Sequence, residues 1–251
     1  MELGRLRAID PRHREAAATG SLRDSLEMHP ANLLVLSGFF VSEVAERLAG
    51  FLGEEARYRI ERRLFSSPDP VDEARWATAN DHDRLSSVRR VAGAGSSPAL
   101  GRGAIEYLRV RSFLGSGGFR SFLEIVSGRA LAGTWGVGAC RLDAGDFVRP
   151  HRYDPGTCQL RLEVFLAPRW QAGLGGDLCV IDDHERVTCI PAFFNRAVVL
   201  DTSLGNTYLV APRRDGGVAV PRLSLEASFG PGAAGSSGDD AAGETAHPRW
   251  I

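Results

Sequence analysis

The chain has 251 residues, 43% of them hydrophobic, and 30 basic against 31 acidic side chains leave a formal charge of −1. That supports a sizeable core and excludes the general attraction to nucleic acid or anionic membrane that a strongly basic chain would have. There is no Lys, so a Schiff-base lysine mechanism is excluded as well.

Residues 1–30 are charged and Ala-rich. Pro11 to Leu26 can form a helix, but its thin apolar face predicts a mobile arm or a helix that needs a partner. The opening Met1-Glu2-Leu3-Gly4-Arg5-Leu6-Arg7 lacks the apolar segment of a signal peptide. No apolar run is long enough to cross a membrane, and a cytoplasmic protein is expected. Asn32 to Phe40 reads as a short buried strand ended by Gly38. Ser42 is the expected N-cap of a helix from Glu43 to about Leu52. With Tyr58 to Phe65 following, strand–helix–strand order predicts an α/β flank rather than an up-and-down barrel.

From Ser66 to Leu100 turn residues thicken, predicting loop and short helix that serve as a lid. Asp81-His82-Asp83 within it has metal-ligand types but no second cluster, and reads as a solvated loop. Ala104–Leu114 and Phe119–Val126 have helical spacing, are separated by Gly115 to Gly118, and are closed by Gly128. From Trp135 the period falls to two, with Gly/Pro turns between short strands, as in a double-sheet jelly roll. After Phe229 the chain is too poor in apolar residues to fold. The expected layout is an arm (1–30), one domain (31–229) with helical support and lid (31–130) and barrel core (131–229), and a disordered tail (230–251). Cys140, Cys158, Cys179 and Cys189 contain no C-x-x-C pair or zinc spacing, and read as small buried residues of a reduced protein.

The pieces that carry chemistry come in order: Gly145-Asp146-Phe147 before His151, Pro168-Arg169-Trp170 with Gly175-Gly176, Phe194-Asn195-Arg196, and Pro221-Arg222-Leu223-Ser224-Leu225. With these the chain resembles the prolyl-4-hydroxylase-like branch of the 2-oxoglutarate/Fe(II) oxygenase superfamily, from about Leu33 to Phe229. The resemblance implies a mainly β fold, a double-stranded β-helix (jelly roll, cupin-like) with flanking helices. It also implies Fe(II) and 2-oxoglutarate as cofactors, and oxidative tailoring (hydroxylation or desaturation) of a small-molecule substrate, as in bacterial specialised metabolism. The family's iron is held by His-x-Asp and a later His, leaving positions open for cosubstrate and O₂.

His151 matches the first ligand. Tyr153 stands at the carboxylate position, with Asp154 one residue late, and Tyr208 stands at the second His position. Residues i and i+2 of a strand share a face, so Asp154 reaches a metal beside His151 only if the chain turns at Pro155-Gly156. Arg222 matches the basic residue that anchors the 2-oxoacid, with an internal salt bridge as the plain alternative. Two readings follow: an oxygenase with His151 and Asp154 as metal ligands, or a metal-free member of the fold. The metal-free member would be either a cofactor-independent acid/base enzyme using His151, Asp154, Tyr153 and Tyr208, or a non-catalytic partner. A homo- or hetero-dimer fits both.

Overall fold

In the computed structural model, residues 7–92, 101–212 and 220–230 are described. Asp10 accepts the Arg12 amide and Pro11 fills the first turn, starting α1 (Pro11–Ala18). Gly20, at φ 80°, breaks the helix, and α2 (Ser21–Met28) follows. The expected arm is thus, over its described part, two short helices with a partner. Ala17, Leu22 and Leu26 are buried where the pair packs on the later helix Gly117–Ser127 and on β1 (Leu33–Ser37). In α3 (Ser42–Gly50) Ser42 is the first helical residue, and the flanking Val41 makes no side-chain cap. A π-helical turn, Phe51–Glu55, leads into β2 (Tyr58–Leu64). Both strands of this flank join the sheet antiparallel rather than as a parallel α/β unit.

The stretch read as a lid differs most from expectation. It contains α4 (Glu73–Thr78), but Arg84–Val91 is a full strand, β3, which hairpins onto β2. Its apolar residues Leu85, Val88 and Val91 fall three apart, a spacing that hides a strand. Residues 93–100 of that stretch lie outside the described residues. The Asp81-His82-Asp83 turn is tied down by its carboxylates, Asp81 to Arg149 and Asp83 to Ser66. The expected helix pair is present as α5 (Arg102–Leu114) and α6 (Gly117–Ser127). In α6, Phe119, Phe122, Leu123 and Val126 form one buried face.

Eight strands follow at period two: β4 (Gly133–Leu142), β5 (Phe147–His151), β6 (Leu160–Phe165), β7 (Leu178–Ile181), β8 (Val187–Ile190), β9 (Arg196–Asp201), β10 (Thr207–Val210) and β11 (Arg222–Gly230). They pair as β9-β6-β11-β4 and β5-β10-β7-β8, all antiparallel. Counted one to eight, that is 6-3-8-1 and 2-7-4-5, the interleaving of a jelly roll, so the core is a double-stranded β-helix. β3 joins the halves along one side by pairing with both β4 and β5. β1 extends the other half beyond β9. The tail expected after Phe229 lies, past Gly230, outside the described residues.

Alternation on β6 and β11 decides what fills the cup. Leu160, Leu162 and Val164, with Leu223, Leu225, Ala227 and Phe229, belong to the apolar core, where Phe229 meets Phe119 of α6. Arg161 and Glu163, with Arg222, Ser224, Glu226 and Ser228, take the opposite face. The inside of the cup is therefore charged, and its outside is apolar beneath the helices.

The cysteines divide. Cys140 and Cys158 are free and buried, as expected. Cys179 and Cys189 stand opposite each other in the β7–β8 register and are joined as a disulfide, which corrects the reading of four free thiols. Ten residues of sequence conceal that pairing until the hairpin register is known.

Candidate functional site

β5 ends by turning His151 into the cup, and the period of two carries Tyr153 to the same side while Arg152 points out to Thr207. Tyr208 is the direct register partner of His151 on β10. The His151 ring stands edge-on to Tyr153 at 5.1 Å, and Tyr153 lies 5.3 Å from Tyr208. The three side chains are thus brought together as the sequence reading required. They line a cavity of about 60 Å³ with Arg63, Arg90, Arg161, Glu163, Arg222 and Glu226.

Asp154 is not brought to this cavity. Its Oδ1 accepts the Gly156 amide at 2.9 Å and its carbonyl accepts the Thr157 and Cys158 amides. The Pro155-Gly156 turn does form, but it folds the carboxylate back on its own backbone.

The donors that remain are two phenols and one imidazole. His151 Nδ1 donates to the Arg149 carbonyl at 2.8 Å, and burial pushes the imidazole down to about 4, leaving it neutral at ordinary pH. Burial also raises both tyrosines well above the ordinary phenol range, so they stay protonated. The Tyr208 hydroxyl donates to the Asp201 carbonyl at 3.0 Å. Asp201 in turn accepts from Arg129 at 2.5 and 2.9 Å.

A facial Fe(II) site takes two imidazoles and a carboxylate. Here the three converging positions hold one imidazole and two neutral phenols. Among the described residues no three His, Cys, Asp or Glu side chains converge as a metal-binding group. This donor set does not fit Fe(II).

The cosubstrate anchor does not fit 2-oxoglutarate either. Arg222 is fully buried, and its Nη2 lies 2.8 Å from Glu163 Oε1, while its Nε donates to the Gly176 carbonyl at 2.7 Å. Its guanidinium sits 4.9 Å over the Phe165 ring. A carboxylate of the protein's own therefore already engages the guanidinium that would have to hold an incoming one.

Four of the charged residues that fill the cup, Arg90, Arg161, Glu163 and Glu226, were not singled out as site residues from sequence. Glu226 sits between Arg90 at 2.5 Å and Arg161 at 2.7 Å. Burial alone would raise its carboxyl, but those two guanidinium groups hold it well below the usual range. Glu226 and Glu163 are register partners on β11 and β6, so the arginines between them offset a like-charge pair. The signal was present in Leu160-Arg161-Leu162-Glu163-Val164. Charges at period two on a strand apolar on its other face mark a polar interior once the strand proves central.

No protein-family profile matches the chain, and no curated protein matches it. Solved structures do. A prolyl-4-hydroxylase from Pseudomonas putida superposes with a TM-score of 0.56 at 16% identity, covering 85% of this chain and 99% of that one. A prolyl hydroxylase from Trichoplax adhaerens, in complex with a hypoxia inducible factor peptide fragment, gives 0.58 at 13%, covering 87% and 91%. SnoN, a non-heme alpha ketoglutarate dependent epimerase from nogalamycin biosynthesis, gives 0.52 at 14%, covering 93% and 95%.

Proposed function

The chain has the prolyl-4-hydroxylase-like fold of the 2-oxoglutarate/Fe(II) oxygenases, and we propose that it is a metal-independent, non-catalytic member of that fold, which binds a small molecule at the mouth of its cup. The observation that carries the reading is the ion pair between Glu163 and Arg222, in which the protein's own carboxylate already engages the cosubstrate's anchor. The two phenols beside His151 support it from the metal side. Oxidative tailoring needs an iron that these side chains do not hold. Acid/base turnover needs a substrate to reach His151, which is only 6% exposed.

Anaerobic titration with Fe(II), followed by metal analysis, tests the proposal. The wild-type chain is expected to retain no stoichiometric iron and to release no succinate from 2-oxoglutarate. Tyr153→Asp combined with Tyr208→His restores the missing donor types and is expected to raise iron uptake. One equivalent of iron in the wild type, lost in His151→Ala, would overturn the reading.

A further inference from the structure

A second cavity, of about 160 Å³, opens at the mouth of the cup between the β2–β3 hairpin, the first half of β4 and α5. Its charge is one-sided. Arg59, Arg63, Arg90, Arg111 and Arg161 line it against two carboxylates, Glu61 and Glu226. Both carboxylates are already held. Glu226 pairs with Arg90 and Arg161, and Glu61 lies 3.1 Å from Arg63 and 3.7 Å from Arg90. Arg59 and Arg111 stand at the exposed rim and have no ion-pair partner among the described residues.

Two features of the strands bear on what this cavity takes. Arg59 on β2 is the direct register partner of Arg90 on β3, and like charges opposite one another across antiparallel strands repel. The β4 wall is bare. Gly136, at φ 64°, sits where β4 bulges against β11, and a Cβ on Gly138 would meet nothing within 4 Å. Side chains at those positions would stand in the cavity. Their absence leaves the cavity open, walled by backbone on one side and guanidinium groups on the other.

We infer that the mouth binds a small organic or inorganic oxyanion, a carboxylate or a phosphate, clasped at the rim by Arg59 and Arg111 above the floor of Arg63, Arg90 and Arg161. The guanidinium fork matches both oxyanions, and an anion there relieves the Arg59–Arg90 opposition. This names the ligand class of the binding reading above and rests on that reading.

The test is calorimetric titration of the full chain with inorganic phosphate and with succinate, in iron-free buffer at low ionic strength. At least one anion is expected to bind saturably, and more weakly as salt is added. Arg59→Ala and Arg111→Ala are each expected to weaken binding by about tenfold or more. Gly138→Leu is expected to abolish binding by filling the cavity with every charge in place. Without anion, Arg59→Ala should melt at or above the wild-type temperature, because its repulsion with Arg90 is gone. Tighter phosphate binding assigns a phosphate ester, and tighter succinate binding a carboxylate. Failure of both anions to saturate the wild type, or wild-type affinity in Arg59→Ala and Arg111→Ala, would overturn the inference. Iron uptake by the wild type would sink the metal-independent reading alone and leave these titrations standing.

Discussion

Glu163 and Arg222 are nearly inaccessible, with side chains 4% and 1% exposed, so neither charge can turn to water if its partner is removed. Breaking a buried pair from one side leaves an uncompensated charge, whereas replacing both members by apolar side chains of similar volume is often neutral. Glu163→Leu is therefore expected to cost about 3–5 kcal/mol in urea unfolding, and adding Arg222→Met to recover at least half of that. If the single and double variants lose the same stability, the pair does not hold the cup as described. At this scale the sequence was informative about which residues meet and less so about what they meet. Strand period put His151 and Tyr153 on one face, and the resemblance to the oxygenase motif put Tyr208 beside them. That Arg222 faces Glu163 depends on β6 and β11 lying side by side, a long-range pairing that no local pattern encodes.

Elements were legible where one face is apolar at a clean period. α5, α6 and the core strands belong to this group, and the helix boundaries fell within a few residues. β3 was not legible, because its central position depends on β2 on one side and on β4 and β5, 50 or more residues away, on the other, rather than on its own alternation. Beyond the β1–β9 pairing, one side-chain amide ties the N-terminal elements to the core. The Asn195 side chain accepts the Phe40 amide at 2.9 Å and donates to the Phe40 carbonyl at 2.8 Å, from a left-handed backbone at φ 55°. It thereby fixes the exit of β1 beside β9. Asn195→Ala strands two buried backbone groups and places Ala in a region it disfavours, so a loss of about 2–5 kcal/mol is expected. Faster amide exchange in β1, Phe39 and Phe40 than in β6 would locate the loss at this join, while uniform exchange would place it elsewhere.

Across the whole molecule, a formal charge of −1 conceals a basic interior and rim, since Arg63, Arg90, Arg161 and Arg222 all face the cup. The sheet closes only when β11 enters between β4 and β6, bringing Arg222 to Glu163 and Glu226 to Arg90 and Arg161. A chain ending at Pro221 is accordingly expected to show no cooperative thermal transition. A sharp transition in that truncation would mean that the two halves hold without their shared strand.

The position of β11 also bears on the order of events at the ribosome. Synthesis runs from Leu142, the end of β4, to Gly230 over 230 − 142 = 88 residues, roughly 4–18 s at ordinary elongation rates. Until β11 is made, β4 and, once synthesised, β6 each carry an unpaired edge, with a half-neutralised set of charges that β11 completes. Birth, for this protein, is the stage at which holdase chaperones have most to protect.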